Sequence, residues 1–117
     1  MGRKRQEKRK LAERRWPLLS NLMACYFHQD LDVLYGSLEG AITAAVQAGS
    51  IDHRRAILAE WRDWNASEGA VIDIRPFLEF GFSVDLLFKQ PIDARYLMNR
   101  LYDGLMESVK TETSRQD

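Results

Sequence analysis

Along most of the chain the apolar residues recur at helical spacing and do not alternate. Between Pro17 and His28, Leu18, Leu19, Leu22, Met23, Cys25, Tyr26 and Phe27 cover most of a helix's circumference, so a helix over 17–28 is expected near the centre of the fold. Pro17 suits a first helical turn and disfavours helical geometry at Trp16, which places the start. Ser37 stands where its hydroxyl can cap a second helix, over 38–48. There Ile42, Ala45 and Val46 form a narrow stripe, and Gly49 occupies a left-handed C-cap position. Ser50 or Asp52 opens a third helix, over 52–66, whose apolar face is Ile57, Leu58, Trp61 and Trp64. Arg54, Arg55, Arg62 and Asp63 fall largely elsewhere.

The connecting stretches are less regular. Gln29 to Gly36 holds two aspartates, a tyrosine and a glycine, and reads as a break between helices. Ser67 to Gln90 reads as a loop with a short helix at Arg75–Phe80 stopped by Gly81. Phe82 to Lys89 is open between a further helical turn and an extended apolar segment. Pro91 or Asp93 starts a last long helix over 92–109, striped by Leu97, Met98, Leu101, Tyr102, Leu105, Met106 and Val109, and the polar tail 111–117 is expected to fray. No recurring alternation or Asn-Gly turn supports a sheet. The pattern predicts an all-α, compact single domain of four to five helices, with Leu22, Tyr26, Ile42, Leu58, Trp61, Leu101 and Leu105 buried.

Length and composition narrow the class. With 117 residues, 45% of them hydrophobic and 29% charged, the chain suits one domain with a real core. A single cysteine excludes an internal disulfide framework and a Cys-rich zinc module. The longest uncharged run, Trp16 to Gln29, is too short for a bilayer span. The basic N-terminus has no adjoining apolar region of a secretory leader, so a cytoplasmic protein is expected.

The net charge of zero hides an asymmetry. Residues 1–15 carry eight basic and two acidic side chains, a net +6, and residues 16–117 carry nine basic and fifteen acidic, a net −6. The division expected is a flexible basic arm at 1–15, a helical domain at 16–110 and the tail at 111–117. The arm could hold phosphates of a nucleic acid, with affinity that depends on salt and not on sequence. The body would repel nucleic acid and favour a basic partner.

Signals for catalysis are thin. The glycines make neither a Walker loop nor a dinucleotide fingerprint, and no serine sits in a nucleophile elbow. Cys25 and His28 are spaced to share a helix face, but a buried thiol in a helix core is the plainer reading. His28, Asp30 and Asp32 resemble a metal cluster only superficially, because the stretch lacks the length and glycine placement of a calcium loop. The plainer reading is that His28 closes the helix and the aspartates cap or solvate the turn. No catalytic residue, metal, cofactor or small-molecule substrate is expected. Most of the aromatic residues lie among acidic ones and are expected in the core rather than on a base-stacking platform. The acidic surface is either solubilising or a docking face for a cationic protein, and composition leaves both open.

One stretch carries more information. Trp16-Pro17-Leu18-Leu19, Tyr26-Phe27-His28-Gln29-Asp30, and Tyr35-Gly36-Ser37 with Glu39 resemble the N-terminal half of the immunity proteins of bacterial contact-dependent growth inhibition systems. Leu31 departs mildly, standing where that family often has an aromatic. The resemblance covers about residues 16–66; further on, Phe77-Leu78-Glu79-Phe80-Gly81-Phe82 is similar to a Leu-rich helix ending in glycine plus an aromatic. Residues 1–15 lie outside it. The resemblance implies an all-α cytoplasmic protein without catalysis of its own, which binds and blocks the C-terminal toxin domain delivered by a neighbouring cell, often a nuclease. Phe27, His28 and Asp30 are then scaffold first: a ring in the core, a helix end, and a carboxylate tying the turn. The toxin-binding face is expected on Asp30, Asp32, Tyr35 and Glu39, joined by Asp63 if the second and third helices form an antiparallel hairpin.

Overall fold

A computed structural model describes the backbone of residues 2–116 and the side chains of residues 6–115. Among them the chain forms seven helices and no strand: α1 (Gly2–Arg15), α2 (Pro17–Tyr26), α3 (Leu31–Tyr35), α4 (Leu38–Val46), α5 (Ile51–Ala66), α6 (Arg75–Phe80) and α7 (Pro91–Gln116). The all-helical class expected from the spacing is what the chain adopts, with two helices more than expected.

The helix starts follow the local chemistry. Trp16 leaves the helical region (φ −132°, ψ 58°) immediately before Pro17, so α1 and α2 are nearly one rod with a break where proline excludes helical geometry. The rod is stitched across the break by Trp16 N–H to Ala12 O and Ser20 N–H to Trp16 O, both 2.8 Å. Ser37 Oγ accepts from Gly40 N–H, and Ser50 Oγ from His53 N–H, so each hydroxyl satisfies one orphan amide of its helix. Gly49 stands at φ +83°, and Gly36, which closes α3, at φ +82°; both are left-handed positions that glycine takes without a Cβ penalty.

The two extra helices are corrections with physical causes. Residues 1–15, expected as a flexible arm, are helical from Gly2 to Arg15; Met1 and the side chains of Arg3, Lys4 and Arg5 lie outside the described residues. The last turn of α1 docks, with Ala12 buried and Arg15 paired to Asp63, and α1 packs on α2 and α6. The stretch read as a break contains α3, a single turn that buries Leu31. Asp30 and Asp32 stand at its N-terminus, where negative charge favours a helix, and five residues are too few for a spacing pattern to show. The tail is a third difference: α7 stays helical past Thr111 to Gln116; Asp117 is outside the described residues.

The helix α7 is the spine, with α4, α5 and α6 packing on it through the fully buried Ala94, Leu97, Met98, Leu101 and Leu105. Six of the seven residues expected in the core are there; Tyr26 is only half-buried and lies against Tyr35. An aromatic cluster closes the other side. Trp16 meets Phe77 edge-on at 5.7 Å, Phe77 meets Phe82 at 5.0 Å, and Trp64 lies 5.7 Å from Phe82. The segment after α6 runs to Lys89 without helix or strand, tied to the end of α2 by Asp85 N–H to Phe27 O at 3.0 Å.

Glu60 of α5 acts as a cap supplied by another helix. Its Oε1 accepts from Leu19 N–H at 3.0 Å in the first turn of α2. Burial pushes its carboxyl above the usual range against the pull of those amide bonds. A raised pKa makes its contribution largest in acid and lost as the pH climbs through the folded-state value. Glu60→Gln keeps an oxygen acceptor without the charge. It is expected to raise urea stability at pH 7 and to have no effect well below pH ~4, whereas Glu60→Ala loses about 1 kcal/mol in acid and less at pH 7.

Candidate functional site

The residues of the Tyr26–Asp30 motif are largely scaffold. Phe27 is fully buried, and its carbonyl anchors the 82–89 segment. His28 Nδ1 accepts from Asp30 N–H at 3.2 Å. It is thus the imidazole that satisfies the turn, and not, as expected, the carboxylate of Asp30. Cys25 is exposed, with its sulfur against Asn21 Oδ1 at 3.7 Å, so thiol and imidazole face separate partners. No group of three or more His, Cys, Asp or Glu among the described residues is arranged to hold a metal ion.

Four of the five residues expected at a docking face come from one side of the molecule. Asp30 and Asp32 are exposed on α3, with no partner for either carboxylate among the described residues. Tyr35 packs on Tyr26, ring centroids 5.4 Å apart, and α3 packs on α4. Glu39, in the first turn of α4, is already engaged: Arg100 Nη2 donates at 2.5 Å and Tyr96 Oη at 3.0 Å. Asp63 lies elsewhere. Helices α4 and α5 each pack on α7 and do not form the hairpin that would bring it across. Its carboxylate accepts from Trp16 Nε1 at 2.7 Å and from Arg15 at 3.0 and 3.2 Å. Trp16 precedes α2 and Asp30 follows its other end, and ten helical residues separate them by about 15 Å.

Both engaged carboxyls are held below the usual carboxylate range, Glu39 by the Arg100 guanidinium and then the Tyr96 hydroxyl, Asp63 by the Trp16 indole N–H and then Arg15. A depressed pKa contributes stability above the unfolded value of about 4 and loses it as the pH falls through the folded value. Asp63→Asn and Glu39→Gln are therefore expected to flatten the loss of stability between pH 4 and pH 2 in acid titrations followed by circular dichroism. If both variants keep the parent's slope, these ties do not form in solution.

Sequence reasoning missed an apolar groove of about 400 Å³ between Leu31, Leu38, the Leu86–Lys89 segment, Asp93 and Tyr96. Exposed apolar side chains stand on the elements around it: Leu87 is 87% exposed, Ile92 73%, Val33 86% and Leu34 59%. The signal available was Leu86-Leu87-Phe88, an apolar triplet in a stretch with no helical period. Patches of this kind mark interaction surfaces.

An all-helical body whose distinguishing features are unpaired surface carboxylates and exposed apolar side chains has the make-up of a protein that acts by contact with another macromolecule. A family model described as CdiI immunity protein matches residues 15–85, more than half of the chain. The chain belongs to this family of contact-dependent growth inhibition immunity proteins. Neither a curated protein nor a solved structure matches it significantly. No helix among the described residues is long and apolar enough to cross a membrane.

Proposed function

We propose that this protein neutralises, in the cytoplasm, the C-terminal toxin domain of a contact-dependent growth inhibition effector by binding it directly, without catalysis of its own. The observation that carries this reading is the family match over residues 15–85. The partner's chemistry follows from charge. A body of net −6 attracts and orients a cationic domain, and a nuclease, whose cleft must hold a polyanion, is such a domain. The contact uses the α3 side, where Asp30 and Asp32 present unpaired carboxylates beside Tyr35, with Glu39 held in place by Arg100. Asp63, at the far end of α2, joins only for a toxin broad enough to span that helix. Tight inhibition needs about 800 Å² per partner, which a body of this size can supply.

The test is co-purification with the toxin domain encoded immediately upstream, followed by calorimetry. A complex at micromolar concentration in low salt is expected, and its absence would reject the reading. Charge reversal at Asp30 and Asp32 should slow association and weaken its salt dependence while leaving the helical spectrum intact. A second reading, nucleic-acid binding along the basic α1, is favoured by the net +6 of residues 1–15. Lys10→Glu with Arg14→Glu separates the two, since toxin binding should survive and any affinity for RNA or DNA should vanish.

A further inference from the structure

We infer that the pocket between α6 and the segment 85–88 takes one lysine or arginine side chain of the toxin, its stem on apolar residues and its charge between Glu79 and Asp85. This rests on the reading of the chain as a toxin-binding immunity protein and adds a place and a chemistry for one anchor of the contact.

The pocket follows from local spacing. In α6, Pro76, Glu79 and Phe80 recur at helical intervals on one face, while Phe77 and Leu78 are buried in the core. Ser83 then takes a left-handed backbone (φ +57°), and Val84 N–H bonds to Leu78 O at 2.9 Å, so the chain turns back along α6. Between helix and segment lies a hollow of about 480 Å³, of the size that holds a small ligand. Its apolar lining comes from Pro76, Phe80 and the Leu86–Phe88 run, and its charged lining is Asp73, Arg75, Glu79 and Asp85.

The charges select the occupant. Arg75, the cation of the lining, is fully engaged: Nε and Nη2 each donate to Asp73 at 2.8 Å, and Nη1 donates to Phe88 O and Lys89 O at 3.2 and 3.0 Å. Arg75 and Asp73 therefore cancel. Glu79 and Asp85 remain, both exposed, with no hydrogen bond or ion pair to either carboxylate among the described residues. The nearest other cations do not offset them. Arg9, across an adjacent hollow that Glu79 and Asp85 also line, is paired with Glu13 at 3.0 Å, and Lys89 lines the groove beside α3 and not this pocket. A lysine or arginine lays its methylene stem on apolar surface and keeps its charged head with polar partners, and this lining offers both. An apolar side chain would cover two carboxylates without pairing them, and an acidic one would be repelled.

The walls are fixed before a partner arrives. The two carbonyl bonds of Arg75 tie the start of α6 to residues 88 and 89, and Asp85 N–H is held by Phe27 O at 3.0 Å. A preformed pocket lets a partner bind without ordering a loop. The Leu86–Phe88 run also walls the groove beside α3, so the pocket is continuous with the α3 side of the molecule.

The experiment uses the full chain and the toxin domain encoded upstream of it, with binding kinetics measured for wild type and two variants whose helical spectra match it. Glu79→Gln with Asp85→Asn removes both unpaired carboxylates of the pocket and keeps the side-chain sizes. Glu68→Gln with Asp103→Asn removes two exposed carboxylates that do not line it, so both variants lose the same net charge. The pocket pair is expected to weaken binding about 10-fold or more, mainly through faster dissociation. The control pair is expected to stay within about threefold of wild type, with the change in association. Absence of binding by wild type would remove the toxin-binding reading itself, and the pocket proposal with it. Binding by wild type, with the pocket pair no weaker than the control pair, would overturn the pocket proposal alone. Sedimentation of the chain alone completes the test: a monomer is expected, and a dimer that the pocket pair dissociates would assign the pocket to the basic α1 of a second copy instead.

Discussion

A Trp61→Ala variant is expected to lose about 3–5 kcal/mol of unfolding free energy, a third or more of what a domain of this size commonly has. Trp61 is 6% exposed on the face of α5 that meets α7. Its ring lies 4.5 Å from that of Tyr102 and 6.0 Å from that of Trp64, and its Nε1 donates to Met98 O at 3.0 Å. Truncation removes all three contacts and leaves a cavity between two helices that are both fixed by other residues, so the site relaxes only partly. Trp61→Phe keeps an aromatic ring and gives up the N–H, and it is expected to lose about 1–2 kcal/mol, near the value of one hydrogen bond plus a small void. Urea melts followed by circular dichroism read both values. A loss below about 1 kcal/mol for the alanine variant would mean that Trp61 is on the surface and belongs among the candidate toxin contacts.

The second large effect is expected at Arg54, a cation only 4% exposed. Its Nε donates to the carbonyls of Gly49 and Ser50, its Nη1 to Ser108 Oγ at 3.2 Å, and its Nη2 to Glu112 at 2.5 Å. Ser108 in turn donates to Val46 O at 2.7 Å. One guanidinium thus joins the end of α4, the start of α5 and the last turns of α7. Arg54→Ala removes a buried guanidinium together with its bonds to Gly49 O, Ser108 Oγ and Glu112, with an expected cost of about 2–4 kcal/mol. The lower part of the range for a broken buried pair applies because the Glu112 side chain is 43% exposed and can rehydrate. Arg54→Lys should recover little, since an ammonium cannot fork to both sides, while Glu112→Gln should cost less than about 1 kcal/mol. Hydrogen exchange gives the local signature: in Arg54→Ala the amides after Ser108 should exchange faster, and those of Leu97 to Leu105 should keep their order of protection. Unchanged exchange at the end of α7 would show that the tail holds itself.

Arg54 also shows where reading the sequence stops. The stripe of Ile57, Leu58, Trp61 and Trp64 placed α5 and its buried face correctly, yet it assigned Arg54 to the polar side. Whether a guanidinium is buried depends on acceptors supplied by residues 54 and 58 positions away, which no local window contains. The fraying expected of the tail has the same origin, because 111–117 looks polar until Arg54 is known to reach Glu112. Starts and stops were legible wherever they are set by a residue's own backbone chemistry: Pro17, the Ser37 and Ser50 caps, and Gly81 after α6 all act as expected. For the site, the acidic residues of α3 were legible as charge and Tyr35 as a ring. The engagement of Glu39 by Arg100 and of Asp63 by Trp16 was not, and neither was a groove whose walls come from three separate parts of the chain.

The position of α7 in the fold has a consequence for when protection begins. Each of α4, α5 and α6 completes its packing on a helix that the ribosome makes after all of them. Residues 15–85 emerge with α4 and α5 packed at most on α2, and the groove beside α3 is incomplete until Asp93 and Tyr96 have followed. At about 5–20 residues per second the 26 residues of α7 take roughly 1–5 s to synthesise. A nascent chain in that interval lacks the finished fold that the proposed inhibition needs. Resistance to an incoming toxin therefore depends on a standing pool of finished molecules, and a cell that begins synthesis only on attack is expected to be late.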